Sequence, residues 1–395
     1  MSTIKKRSQG FPLAAVDYLF CEKQHYGITF VLEFADTQDF AALKESLPGA
    51  LEAFYPAKGR MFRDERDEYY VSDDVGGAFG AVSFELQEAP PVEPDEPLGL
   101  LRFAAPIDAA LGNPVSHFRL TNTPTGSYLS ASIAHAVADG YGYVLFLSYW
   151  AALTRRGELF TPSHARKRLA WTSADYGDLS PAAVLKATGH SVMDAPHPPS
   201  AVHSYASLKW EDAELAQYRS EATRELGRSV SGHDLASALM LKDCATRWHK
   251  PGDRIRMHCP IDFRRFIPEI TPFFFGNAIR GVPLEDTYET ITRSTVPALA
   301  LRINEGISGI TRADIDDHLR TMQGVKEVGG QSLIRRMDGW HPDFGMLVTN
   351  MTRMPLSQID FGRGAPRQFC PIGAPRAYVM LRRPGAIEAL VGLPA

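Results

Sequence analysis

His135 and Asp139, four positions apart in SIAHAVADGYGYVLFLSYW (132–150), are the residues whose type and spacing point most directly to chemistry. An imidazole titrates nearest neutral pH, so a positioned histidine is suited to take a proton from an attacking group and hand it to a leaving group. Both residues stand in an apolar surround, where burying a charge is costly unless it is paired or has a task. Two readings of the pair are open. They are the centre of the chemistry, or His135 is a satisfied core histidine at a strand end and Asp139 caps the helix that follows.

The flanking elements suit either reading. SYLSASIAH (127–135) reads as a buried strand and YGYVLFLSYWAAL (141–153), apolar nearly all round, as a buried helix, which makes HAVADG a strand-to-helix loop. In the second half, RIRMHCPIDF (254–263) and FGMLVTNMT (344–352) read as strands. ELAQYRSEATREL (214–226) and GHDLASALMLKDCATRW (232–248) read as helices, the latter capped by Ser231 with His233 and Asp234 in its first turn. Between the halves, roughly 157–205, periodicity is weak, and Pro, Ser and charged residues mark a surface crossover.

The chain has 395 residues, enough for two or three domains, and a globular balance of 44% apolar and 22% charged residues. A net charge of −4 argues against a general nucleic-acid binder. Cys21, Cys244, Cys259 and Cys370 are scattered without CxxC spacing, so no metal site or redox motif is expected and a reducing compartment fits. The N-terminus has no sustained apolar run, and no stretch reaches the roughly 18 apolar residues of a membrane span. The expectation is a soluble, cytoplasmic, monomeric protein. There is no GxSxG elbow, P-loop or HExxH, and GYGYVL (140–145) carries only the first two glycines of a dinucleotide fingerprint.

Four segments, in order, carry a family resemblance: FYPAKGRM (54–61), HAVADG (135–140), PIDFRRFIPEITPFFFGNAI (260–279) and TNMTRMPLSQIDFGRGAP (349–366), with FPLAAVDYLF (11–20) ahead of them. They resemble the YPxAGR, HxxxDG, DxRxR…YFGN and TSW…DFGWG segments of the BAHD acyltransferases, over essentially the whole chain. The resemblance implies an α/β fold of two chloramphenicol acetyltransferase-like domains, each a mixed β-sheet with helices, meeting at an active-site channel. The expected division is 1–180 with HxxxDG, a crossover linker over 181–205, and 206–395 with DFGxG. It also implies transfer of an acyl group from a thioester to a hydroxyl or amine without an acyl-enzyme, consistent with the missing nucleophile motif.

The resemblance assigns roles residue by residue. His135 is the general base. Asp139, with Gly140 beside it, is structural and pairs with an arginine; because DFRR is one residue shorter than DxRxR, Arg264 and Arg265 both remain candidates. Thr349 falls where the family has the threonine or serine of TSW and is the expected oxyanion donor, with Asn350 beside it able to assist. Asp360, Gly362 and Gly364 form a fold-shaping DFGxG loop, in which Arg363 and Ala365 replace the usual tryptophan and lysine. Met351 stands where many plant members have an acceptor-facing tryptophan, which implies a differently shaped acceptor, aliphatic or polycyclic. Arg166, Lys167 and Arg168 form a basic run that could meet coenzyme A phosphates or lie as a solvated surface. Acyl-CoA is the expected cosubstrate, with no bound cofactor. A phosphopantetheinyl acyl carrier protein would deliver the same thioester.

The alternative is a condensation- or cyclisation-type catalyst using a carrier-bound or intramolecular thioester. Condensation domains of the same fold usually show HHxxxDG, whereas Ala134 occupies that first position here and DFGxG is present. A non-catalytic binding protein on the same fold is a third class, disfavoured by the joint presence of His135, Asp139 and Thr349.

Overall fold

The computed structural model describes residues 10–21, 27–72, 79–90, 97–196, 202–339 and 345–394. Two mixed sheets dominate it. The first runs Gln368–Pro371, Gly27–Phe34, Gly126–Ala134, Ser116–Thr123, Ser83–Glu88, antiparallel except for the last pair. The second runs Ile279–Thr287, Arg254–Asp262, Gly345–Asn350, Ala377–Arg383, Ala386–Pro394, Val202–Glu211, with Gly345–Asn350 parallel to both its neighbours.

Every residue of strand Gly126–Ala134 is buried, so it shows no polar alternation and reads from sequence as a small-residue run. It ends one residue before His135. Helix Gly140–Thr154 follows, with Val144, Phe146, Leu147 and Trp150 fully buried, as an all-round apolar helix requires. The helices expected in the second half form over Asp212–Leu226 and Gly232–Trp248. Ser231 Oγ accepts from the Asp234 N–H while Asp234 returns a bond to the Ser231 N–H, a reciprocal cap. The expected strands form over Arg254–Asp262 and Gly345–Asn350; Phe344 lies outside the described residues.

The stretch expected to be an irregular surface crossover is more ordered than its composition suggests. It holds helix Pro181–Thr188 and strand Ser191–Val192, which pairs with Met337–Asp338, and Val202 already opens a ten-residue strand. Gly189 ends that helix at φ +77°, where a Cβ would stand 2.5 Å from the Gly281 carbonyl oxygen.

Two apolar cores accompany the two sheets. One gathers around helix Gly232–Trp248 with Ile255, Met257, Met346 and Val348. The other fills the first sheet and also takes Ile315, Leu319 and Met322 from helix Arg312–Gly324. Strand Gln368–Pro371 crosses to the edge of the first sheet, placing Phe369 and Cys370 in its core. Along Ala377–Arg383, Val379 and Leu381 join the first core while Tyr378 and Met380 join the second, so one face of the second sheet looks toward the first unit. Among the described residues no helix is long and apolar enough to cross a membrane.

Candidate active site

His135 is half-buried, and its imidazole is held at two places. Nδ1 lies 3.1 Å from Asn277 Oδ1, and the ring stacks on Phe20 at 3.9 Å between centroids and 14° between planes. The orientation of Asn277 decides the histidine tautomer. Its Nδ2 donates to Asp17 Oδ1 and to the His135 carbonyl, both at 2.8 Å. Both partners only accept, so the amide cannot be flipped, and its Oδ1 must accept from His135 Nδ1–H. The tautomer thus assigned from the network puts the proton on Nδ1 and the lone pair on Nε2. Burial pushes the His135 pKa below the usual imidazole range, and its own backbone, Asp139, Asn277 and Asp17 pull it back only in part.

The network reaches further inward. Asp17 is fully buried on the 3₁₀ turn Ala15–Phe20; its Oδ2 accepts from the Ala14 N–H at 2.8 Å and from Arg166 Nε at 2.9 Å. Arg166 also donates to the Phe275 carbonyl at 3.0 Å and to the Val137 carbonyl inside the HxxxDG loop. Arg166 is only 4% exposed. This corrects its assignment to a phosphate-binding run. In the 3₁₀ turn Arg166–Leu169, residues three apart share a face, so Arg166 and Leu169 turn inward while Lys167 and Arg168 remain exposed.

Asp139 has a different task from His135. Its Oδ1 accepts from the Gly142 N–H at 2.8 Å, capping helix Gly140–Thr154, and its Oδ2 accepts from the Ala278 N–H at 2.9 Å. Arg264 forms a two-pronged ion pair with the same carboxylate at 3.0 and 2.9 Å, both groups being buried. The choice left open in DFRR falls on Arg264. Arg265 is exposed over the Phe266 ring. Helix capping and arginine pairing are therefore simultaneous, and the carboxylate is fully engaged away from the imidazole. Gly140 leaves room for a neighbour: a Cβ there would meet Met351 Cε at 3.3 Å.

Thr349 lies near the end of strand Gly345–Asn350. Met346 and Val348 face the second core, so alternation turns Thr349 to the other face, opposite Val379 and toward the first unit. Asn350 is exposed, and its Oδ1 accepts from the N–H and the hydroxyl of Thr352 at 2.9 and 2.7 Å, a local turn that takes up the oxygen. Met351 is half-buried against the first core and lines a cavity of about 300 Å³ with Met354, Leu356, Phe369 and Leu381. Arg382 and Arg383 stand at this cavity, already paired with Asp212 and Glu388.

The DFGxG loop is a structural turn. Asp360 Oδ1 accepts from the N–H groups of Gly362 and Gly364 at 2.8 and 2.9 Å, and both glycines have positive φ, +104° and +91°. Phe361 packs against Phe34 and Trp150. Arg363, in place of tryptophan, donates to the Thr37 carbonyl at 2.8 Å and so ties the loop to the connection that follows strand Gly27–Phe34. Among the described residues no group of three or more His, Cys, Asp or Glu side chains could hold a metal ion.

Sequence reasoning gave no role to Asn277, Asp17 or Phe20, although all three stand in segments that carry the resemblance. The signal was present in GN of FFFGNAI and in the aspartate of FPLAAVDYLF.

Comparison with known proteins shows the family and the fold. The model of the transferase family matches residues 2–391. A hydroxycinnamoyltransferase of Narcissus pseudonarcissus is 26% identical over 84% of the chain and 78% of its own length. Shikimate O-hydroxycinnamoyltransferase of Nicotiana tabacum is 24% identical over 83% and 78%. Among solved structures, F. sporotrichioides TRI101 complexed with coenzyme A and T-2 superposes with a TM-score of 0.78 at 16% identity, covering 98% of this chain and 95% of that one. Vinorine synthase gives 0.69 at 16% identity, covering 99% and 92%.

Proposed function

The chain belongs to the transferase family of BAHD-type acyltransferases, and from that premise we propose that it moves an acyl group from acyl-CoA to a hydroxyl or amine of a small-molecule acceptor. The observation that carries the reading is the Asn277–His135 contact, which leaves the lone pair of a half-buried imidazole on Nε2. In this account the acceptor's O–H or N–H gives its proton to Nε2 as its heavy atom attacks the thioester carbonyl. The Thr349 hydroxyl donates to the tetrahedral oxyanion. Collapse breaks the carbon–sulfur bond, and the imidazolium returns the proton to the departing thiolate. Asp139 and Arg264 hold the loop that carries the histidine, and no residue is acylated.

Met351, a flexible side chain where many family members carry tryptophan, supports an acceptor with a flexible or polycyclic apolar body rather than one that needs an aromatic partner. Coenzyme A in the TRI101 complex supports the same donor here. Lys167 and Arg168 are the members of the basic run left to meet its phosphates. The test is a mass-spectrometric screen of acyl-CoAs against alcohols and amines, with intact-mass analysis of the protein during turnover. The reading expects acylated acceptor, free coenzyme A and no acylated protein. Turnover only with loaded carrier protein would shift the donor, and an acyl-enzyme would overturn direct transfer.

A further inference from the structure

We propose that Phe20 is a positioning residue of the acyl-transfer centre, its ring face fixing the plane of the His135 imidazole and favouring the imidazolium that forms there. The inference rests on the reading of His135 as base. Asn277 holds the Nδ1 edge of the imidazole, and a contact on the ring face restrains rotation about the Cβ–Cγ bond further. The Phe20 ring, 3.9 Å away and within 14° of parallel, lies across the path of that rotation. Phe20 closes the 3₁₀ turn Ala15–Phe20, and Asp17 stands three residues earlier on the same face of that turn. One short turn therefore grips the histidine twice: through Asp17 and Asn277 at the ring edge, and through Phe20 at the ring face.

The geometry is also selective between protonation states. Two neutral rings prefer an offset or edge-on arrangement to a close sandwich. A cation over a ring face is attracted by the π-electrons, and more strongly where water is excluded, as it is around a Phe20 that is 6% exposed. The stack therefore gains when His135 accepts the proton, which is the differential stabilisation that lowers a barrier. The charged groups whose fields reach the imidazole are the carboxylates of Asp17 and Asp139, each paired with an arginine, Arg166 and Arg264. Replacing Phe20 leaves those pairs intact.

The test compares Phe20→Leu, Phe20→Met and Phe20→Tyr. The His135 pKa is read by NMR titration of its Cε1–H in protein without substrates, and kcat, both KM values and the pH profile by steady-state kinetics. Phe20→Leu and the more shape-tolerant Phe20→Met should shift the His135 titration to lower pH by roughly half a unit or more. They should lower kcat about 10-fold with little change in thioester KM. Phe20→Tyr keeps the ring face and should restore both. An unmoved titration with kcat near wild type in the Leu or Met variant, or a Tyr variant that behaves like Leu, would overturn the proposal. Failure of the base reading shows separately, as turnover that survives His135→Ala, while the titration still reports what Phe20 does to the imidazole.

Discussion

His135 and His318 are both imidazoles whose charged form is disfavoured by burial, yet their surroundings differ in kind. His135 directly follows a strand, half-buried, with Nδ1 on Asn277 and its face on Phe20. His318 lies fully buried in helix Arg312–Gly324, beside Phe263; its ring nitrogens miss ideal hydrogen-bond geometry, and the Ala187 carbonyl offsets its burial only in part. Its charged neighbour, Arg280, spends two donors on the Ala187 and Lys186 carbonyls at the end of helix Pro181–Thr188. Desolvation and that guanidinium push His318 down to about 3. A perturbed histidine is thus not by itself the mark of a site. What separates the two is a network that fixes which nitrogen carries the proton.

That contrast can be broken most forcefully at His135. His135→Ala should lower kcat by about 10²- to 10⁴-fold without loss of fold, and the deficit should shrink for acceptors already ionised at assay pH. A comparable loss of activity from His318→Leu would erase the distinction. Next in size is the support beneath the loop. Asp139→Ala strands the buried Arg264 cation and should cost roughly 3–5 kcal/mol in stability, read by chemical denaturation. Asp139→Asn should retain more. Equal thermal stability of Asp139→Ala and His135→Ala would show that the two residues do not have separate tasks.

Thr349→Val sharpens the catalytic side. It keeps the shape and removes the hydroxyl, so kcat should fall about 10²-fold with both KM values little changed. An unchanged kcat would transfer the oxyanion to Asn350, to a backbone N–H or to water. At neutral pH the smallest effect belongs to His318. Its folded pKa is depressed to about 3, so below the unfolded value near 6.5 the unfolded chain binds a proton that the folded chain refuses. Stability is then fully present above about 6.5 and is lost as pH falls from there toward 3. His318→Leu should flatten that acid slope in denaturation measured at several pH values, while activity at neutral pH stays close to wild type. An unchanged slope would mean that His318 takes up its proton in the folded state.

Contiguous features were legible in the sequence. The HxxxDG loop, its flanking strand and helix, the capped helix Gly232–Trp248 and the DFGxG turn depend on residues close in the chain, and their patterns carry through to the structure. Relations across the fold were not. Asn277 meets Asp17 across 260 residues and His135 across 142, and no local spacing announces either contact. Charge alone misled at Arg166, because HARKR looks solvated until a 3₁₀ turn buries its first arginine. Adjacency to Thr349 did not announce the local task of Asn350, whose Oδ1 accepts from the N–H and hydroxyl of Thr352. One missing residue in DFRR left the partner of Asp139 open, and only the three-dimensional reach of Arg264 decides it.

The central claim is that Asn277 holds neutral His135 with its proton on Nδ1 and its lone pair on Nε2. Nitrogen-15 NMR of the histidine side chains, at a pH above the His135 titration, reads this directly. The account predicts a protonated Nδ1 and a bare Nε2 for His135 in the wild type, and a mixture of tautomers in Asn277→Leu. A wild-type His135 protonated on Nε2, or a tautomer indifferent to the loss of Asn277, would contradict it.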